Sequence, residues 1–202
     1  MSDGHRLLSE ELTVLTFAHP DSHVTGPASF LDLNGTLVDP VKPAQLDALT
    51  LIPGVVTAVA RLPAPGFVCP VVTVQSRIAQ GLFSLAEFEI WFASFAAGLQ
   101  ARGARIVGPS VCPHRFAEPC PRKRPNTLLY QRAVAEHRLK PADCFAIGVS
   151  PEDLRAAARL GARGCLVRSG WASDPRLVDI AAPDASLVAD SLTEVADWIL
   201  RS

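Results

Sequence analysis

This chain has no excess of charge of either sign. Nineteen Lys and Arg stand against 20 Asp and Glu, a formal net charge of −1, so nothing favours a nucleic acid or another polyanionic partner. It has no apolar run near the ~20 residues that cross a membrane. Its first residues, Met1-Ser2-Asp3-Gly4-His5-Arg6, lack the charged-then-apolar layout of a signal peptide. It has no disulfide framework either, because five Cys is an odd number and their spacing is irregular. Internal repeats and low-complexity tracts are missing too. These absences predict a reduced cytoplasmic protein with no membrane partner. What the chain does have is apolar material. Hydrophobic residues make up 49% of it and charged residues only 19%, enough to bury a sizeable core. Its 202 residues predict one domain, and a monomer is the expected state.

Residues 1–27 read as an N-terminal extension ending in polar and turn residues. The remainder, 28–202, reads as the folded domain. A short apolar run, Phe30-Leu31, ends in Asp32, and Leu33-Asn34-Gly35-Thr36 follows at once. That pattern places a carboxylate at the C-terminal tip of a buried parallel strand, where ligands bind in open α/β sheets. Pro53-Gly54 opens a helical pattern with Val55, Val56, Val59, Ala60 and Leu62 on one side. Residues 67–74 read as a second strand. Ser84, with Glu87 three residues on, reads as the capping box of a long helix. Its stripe of Phe88, Trp91, Phe92, Phe95 and Leu99 has the spacing of a core face rather than a ligand box. Residues 105–107 read as a short strand, 111–126 as a loop dense in Pro, Cys, His and Arg, and 127–137 as a helix. A strand at 144–148, a helix through Asp153, Leu154, Ala157, Ala158 and Leu160, a strand ending at Val167 and a helix at 192–200 complete the pattern. Such alternation predicts an α/β three-layer sandwich with a central parallel sheet.

Three further segments carry chemistry. Thr73, at the tip of the second strand, can donate its hydroxyl to a phosphate oxygen, or can simply be a β-branched residue that suits a strand. Arg122-Lys123-Arg124, in a loop before a helix, can clamp a phosphate or can be solvated loop charge. Asp153 follows the third tip, Gly148-Val149-Ser150. It can approach a metal or can be an acid favoured by the helix dipole.

Together these segments resemble the haloacid dehalogenase (HAD) superfamily, in the group of histidinol phosphatase and D-glycero-D-manno-heptose-1,7-bisphosphate phosphatase. The resemblance covers about 27–167. The segments "IPGVVTAVARL", "VVTVQSRIAQGLFS", "CPH" and "GVSPEDLRAAARLGARGCLV" come in family order. It implies a HAD-like fold without a large cap domain, and Mg²⁺-dependent hydrolysis of a small phosphorylated metabolite through an aspartyl-phosphate. It also implies roles. Asp32 matches the nucleophile, Thr73 the phosphoryl-binding Thr, and Lys123, with Arg122, the third-motif Lys. Gln75, Ser76 and Arg122 are implied at the substrate, and Asp32, the Asn34 carbonyl and Asp153 at Mg²⁺. The family's zinc loop runs Cys-x-His, then Cys-x-Cys, so Cys112, His114 and Cys120 are implied as Zn²⁺ ligands. Arg122 stands where the last Cys is expected. A Zn²⁺ structural site normally has four ligands, so the alternative is a metal-free loop stiffened by Pro113, Pro119 and Pro121.

The departures fall on the chemistry. The family's first motif is Asp-x-Asp, whose second Asp protonates the leaving oxygen and later activates water. Asn34 replaces it here and cannot carry a proton that way. The fourth motif is Gly-Asp-x-x-x-Asp, whose first Asp binds Mg²⁺. Val149 replaces that one. The expectation is a phosphatase with impaired turnover and a weakened Mg²⁺ site. Its alternative is an inactive relative kept as a phospho-ligand-binding or regulatory module. Cys69, Cys144 and Cys165 read as buried thiols.

Overall fold

The computed structural model describes residues 26–62 and 67–202. The extension read at 1–27 therefore lies almost wholly outside the described residues. In chain order the described residues form β1 (Ser29–Leu31), β2 (Val38–Asp39), β3 (Thr50–Leu51), α1 (Val55–Arg61), β4 (Pro70–Val74), α2 (Ser76–Ala79) and α3 (Leu85–Gln100). Then follow β5 (Val107–Cys112), α4 (Leu128–His137), β6 (Phe145–Gly148), α5 (Pro151–Leu160), β7 (Arg163–Val167), α6 (Pro175–Ala181), β8 (Leu187–Ala189) and α7 (Leu192–Ile199). No helix among them is long and apolar enough to cross a membrane.

Six strands form one sheet in the order β5-β4-β1-β6-β7-β8, all paired in parallel. Alternation along each strand sorts side chains to two faces. Leu31, Val71 and Ile147 join α1, α3 and α7 in the larger core. Phe30, Val72 and Ala146 join α4 and α5 in the second. The aromatic stripe of α3 belongs to the larger core. Phe88, Phe92 and Leu99 are fully buried, each contributing on the order of 1.5–3 kcal/mol. Trp91 stacks on Phe95 at 5.1 Å at its margin. The capping box of α3 forms as read. The Ser84 N–H donates to Glu87 Oε2 at 2.7 Å, and the Glu87 N–H donates to Ser84 Oγ at 3.1 Å.

The order β4-β1-β6 puts the ends carrying Thr73, Asp32 and Gly148 side by side, in the three-layer α/β arrangement expected from the alternation. Other elements depart from the sequence reading. β5 does not stop at Val107 but runs to Cys112, into the segment read as loop. Its partners are in β4, with Ser110 opposite Val72 and Cys112 opposite Val74. It lies at the sheet edge, where Pro109 lacks a ladder hydrogen bond at little cost. The small antiparallel pair β2–β3, α6 and the outer strand β8 are further elements the local pattern did not mark.

Candidate active site

The turn after β1 fixes the centre of the site. The Asp32 N–H donates to the Ile147 carbonyl at 2.9 Å, which locks the residue to β6. Leu33 then accepts from the N–H groups of Thr36, Leu37 and Val38. Gly35 sits at φ +88°, and a Cβ there would stand 3.0 Å from the Gly170 Cα. Ser169 Oγ also donates to the Gly35 carbonyl at 2.6 Å. The segment after β7 thus docks on the Asp32 turn and brings Trp171 to the mouth of the site.

Asp32 and Thr73 line one cleft of about 850 Å³ with Asn34, Gln75 and Ser76. The Asp32 side chain is only 6% exposed. Burial raises its carboxyl above the usual carboxylate range, while the Arg124 charge and the Leu33 N–H pull it back. Asn34 and Thr73 are joined through one amide. Gln75 Nε2 donates to Asn34 Oδ1 at 2.6 Å and to Thr73 Oγ1 at 3.0 Å.

The cation at Asp32 is Arg124, not Lys123. Arg124 Nη2 lies 3.1 Å from Asp32 Oδ1, and Nη1 pairs with Asp153 Oδ1. Burial alone would lower the Arg124 pKa, but Asp32, Tyr130 and Glu152 outweigh it, so the guanidinium stays charged. Lys123 borders the cleft, yet its Nζ donates to the carbonyls of Arg115, Phe116 and Glu118. It fastens the loop. Two consecutive turns explain the difference, with Lys123 N–H donating to Cys120 and Asn126 N–H donating to Lys123. Arg122, expected at the substrate, is half-buried beside the cysteines, its N–H 3.4 Å from Cys120 Sγ. The sequence held the signal for this register. If Arg122 stands in the place of the last Cys of the zinc loop, a Lys following a Cys-Arg pair falls on position 124.

Asp153 is not turned to the cleft. Its Oδ2 accepts from Val149 N–H at 3.2 Å, Ser150 N–H at 3.1 Å and Ser150 Oγ at 2.7 Å, which caps α5. Its other oxygen takes Arg124. Gly148 is required by this arrangement, because a Cβ there would stand 2.1 Å from Asp153 Cγ. Val149 is 1% exposed and packs with Leu154, Leu166 and Ala172. The donor set expected for Mg²⁺ is therefore incomplete. Position 149 is apolar, Asp153 is engaged by the cap and Arg124, and Asp32 already faces a guanidinium. Mg²⁺ prefers near-octahedral oxygen coordination with carboxylates; of the expected donors, Asp32 and Asn34 line the cleft and Asp153 does not.

The outer wall of the cleft was not read from sequence. Lys42 Nζ stands 4.3 Å above the Trp171 ring, and Arg77, Phe116 and Glu152 complete the mouth.

Beside the cleft, at the tip of β5, Cys112, His114 and Cys120 converge. Cys112 Sγ is 3.6 Å from Cys120 Sγ and 3.8 Å from His114 Nδ1, and Cys120 Sγ is 3.2 Å from that nitrogen. Tetrahedral Zn²⁺ with bonds of about 2.0–2.3 Å separates its ligand atoms by about 3.5–3.8 Å. The donors fit three corners of such a site. Burial raises the Cys112 thiol to about 11. Cys69, Cys144 and Cys165 are buried and unpaired.

Comparison with known proteins gives the family and the fold. Residues 122–195 match the HAD-hydrolase-like family. The chain is 34% identical over 146 residues to the D-glycero-beta-D-manno-heptose-1,7-bisphosphate 7-phosphatase of Pseudomonas putida, covering 72% of this chain and 82% of the relative. It is 30% identical over 181 residues to the Haemophilus ducreyi protein of the same name, covering 85% and 97%. Among solved structures, the D,D-heptose 1,7-bisphosphate phosphatase of B. bronchiseptica, complexed with magnesium and phosphate, superposes with a TM-score of 0.78 at 25% identity. That match covers 87% of this chain and 98% of the other.

Proposed function

For a chain that belongs to the HAD-like hydrolase family, as kin of the heptose-bisphosphate phosphatases, we propose a phosphatase-type site that binds a small phosphorylated metabolite, a phosphorylated sugar, over Asp32. One observation carries the reading: Asp32, Thr73 and Arg124 meet on the floor of a single cleft. In this reading the Asp32 oxygen not held by Arg124 attacks phosphorus. A bond forms from that oxygen to phosphorus, and the bond from phosphorus to the leaving oxygen breaks. Arg124 and the Thr73 hydroxyl offset charge on the phosphoryl oxygens. The leaving oxygen must take its proton from solvent, because Asn34 has none to give. Water then displaces Asp32 from phosphorus, again without a carboxylate at position 34 to activate it. Turnover is accordingly slow, and least slow where the leaving group has a low pKa.

The outer wall supports a sugar-sized ligand. Trp171 offers a flat apolar face, and Lys42 and Arg77 offer charge at the rim. Zn²⁺, held by Cys112, His114 and Cys120, would tie the tip of β5 to the loop that carries Arg124. Five unpaired cysteines suit a reducing compartment such as the cytoplasm.

The test is hydrolysis of an aryl phosphate and of a sugar phosphate by the unmodified protein and by Asn34→Asp/Val149→Asp. The expected result is weak aryl-phosphatase activity and still weaker sugar-phosphate activity. The double variant, assayed with Mg²⁺, should gain about 10²–10⁴-fold on the sugar phosphate. Brisk sugar-phosphate hydrolysis by the unmodified protein would refute the reading. Val149 and the pairing of Arg124 with both carboxylates favour a second reading, a phospho-ligand-binding module without turnover. Phosphate binding with no turnover, even of aryl phosphate, decides for it.

A further inference from the structure

Three charged groups are linked at the floor of the cleft: Asp32 and Arg124 line it, and Asp153, turned away from it, pairs with Arg124. One guanidinium pairs with both carboxylates, and Asp153 is further held by two N–H groups and a hydroxyl. Together they carry one negative charge. Two more carboxylates at positions 34 and 149, as the Asp-x-Asp and Gly-Asp signatures would place there, would leave three negative charges. A divalent cation is what offsets that difference. In this chain position 34 is an amide fixed by Gln75 and position 149 is a valine sealed among Leu154, Leu166 and Ala172. Losing both acids removes the same charge that a divalent ion would have neutralised. The carboxylate missing at position 149 is also the one that would have bound the ion, while position 34 keeps its backbone carbonyl.

From this juxtaposition we infer that the cleft binds the phosphate of its ligand without a divalent metal ion, with the Arg124 guanidinium as the fixed cation. The inference rests on the phosphate-site reading above and deepens it. Arg124 has five N–H donors, and its two ion pairs leave others unused on a side chain that lines the cleft. A planar guanidinium matches phosphate oxygens in pairs. Thr73 adds a hydroxyl, which accepts from Gln75 Nε2 and keeps its own proton to donate. Lys42, Arg77 and Lys123 border the same cleft and raise the local concentration of anions. A metal ion approaching Asp32 would meet a guanidinium 3.1 Å from that carboxylate.

The test is calorimetric titration of the full-length protein with inorganic phosphate, in excess EDTA and in excess MgCl₂. The two dissociation constants should agree within about twofold, a coupling factor near one. Asn34→Asp/Val149→Asp should behave oppositely, binding phosphate at least about tenfold tighter with Mg²⁺ than with EDTA. Arg124→Gln should weaken binding at least about tenfold in either medium. The comparison of media in the unmodified protein needs no substitution, so a poorly folding variant does not blunt it. Phosphate binding by the unmodified protein only when Mg²⁺ is present would overturn this inference and leave the phosphate-site reading intact. No phosphate binding in either medium would overturn both.

Discussion

Arg124→Gln tests the floor of the site through stability. Asp32 and Asp153 are 6% and 1% exposed, and Arg124 pairs with both. Breaking a buried pair by removing one partner costs about 3–5 kcal/mol, because it leaves an uncompensated charge. Asp153 keeps its three cap donors, so the cost falls mainly on Asp32. Burial already raises that carboxyl, and loss of the Arg124 charge raises it further. A carboxyl whose folded pKa lies above its unfolded value, about 3.9 for Asp, adds stability below the unfolded value and withdraws it as pH rises through the folded one. The gap between wild type and Arg124→Gln should therefore be small near about pH 4 and widen toward about pH 8. Urea unfolding of both proteins across that range measures it. Adding Asp32→Asn to the variant should recover most of the loss at the higher pH, since the two sites are in contact and couple. A loss below about 1 kcal/mol near pH 8, or a gap that widens toward acid, would refute the argument.

Gly148→Ala should be as damaging as a core truncation, at about 2–5 kcal/mol, because its Cβ would occupy the space of the Asp153 carboxylate and dislodge both the cap and the Arg124 pair; denaturant unfolding reads it. Protein purified without chelator should carry near-stoichiometric zinc by elemental analysis, and Cys120→Ser should lose it. Zn²⁺ binding should release protons and tighten as pH rises toward about 11, the value to which burial pushes the Cys112 thiol, because protons compete less for that sulfur; calorimetry in two buffers of different ionisation heat follows the release. Trp171→Ala should weaken binding of a sugar phosphate while leaving inorganic phosphate unchanged, since the ring stands at the mouth of the cleft and not on its floor.

Local pattern determined a good part of this protein. A short apolar run ending in Asp32 and a Gly-Thr turn defined β1 and its tip, because strand ends and turn residues are set by near neighbours. The capping box of α3 was written in two residues, Ser84 and Glu87, and its buried stripe in their helical spacing. Cys112, His114 and Cys120 lie within nine positions of one another, so their convergence was readable. The remainder was decided by contacts far apart in the chain. β5 extends to Cys112 only because β4 lies beside it, and β8 has three residues that mean little until β7 is in place. Trp171 reaches the mouth through the close approach of Gly170 to Gly35. A shift of one residue in a proline-rich loop separates Lys123, tied to three carbonyls, from Arg124, tied to Asp32 and Asp153. Sequence order put cations near the site. Which one entered it depended on how successive turns aim their side chains, and only the folded loop fixes that direction.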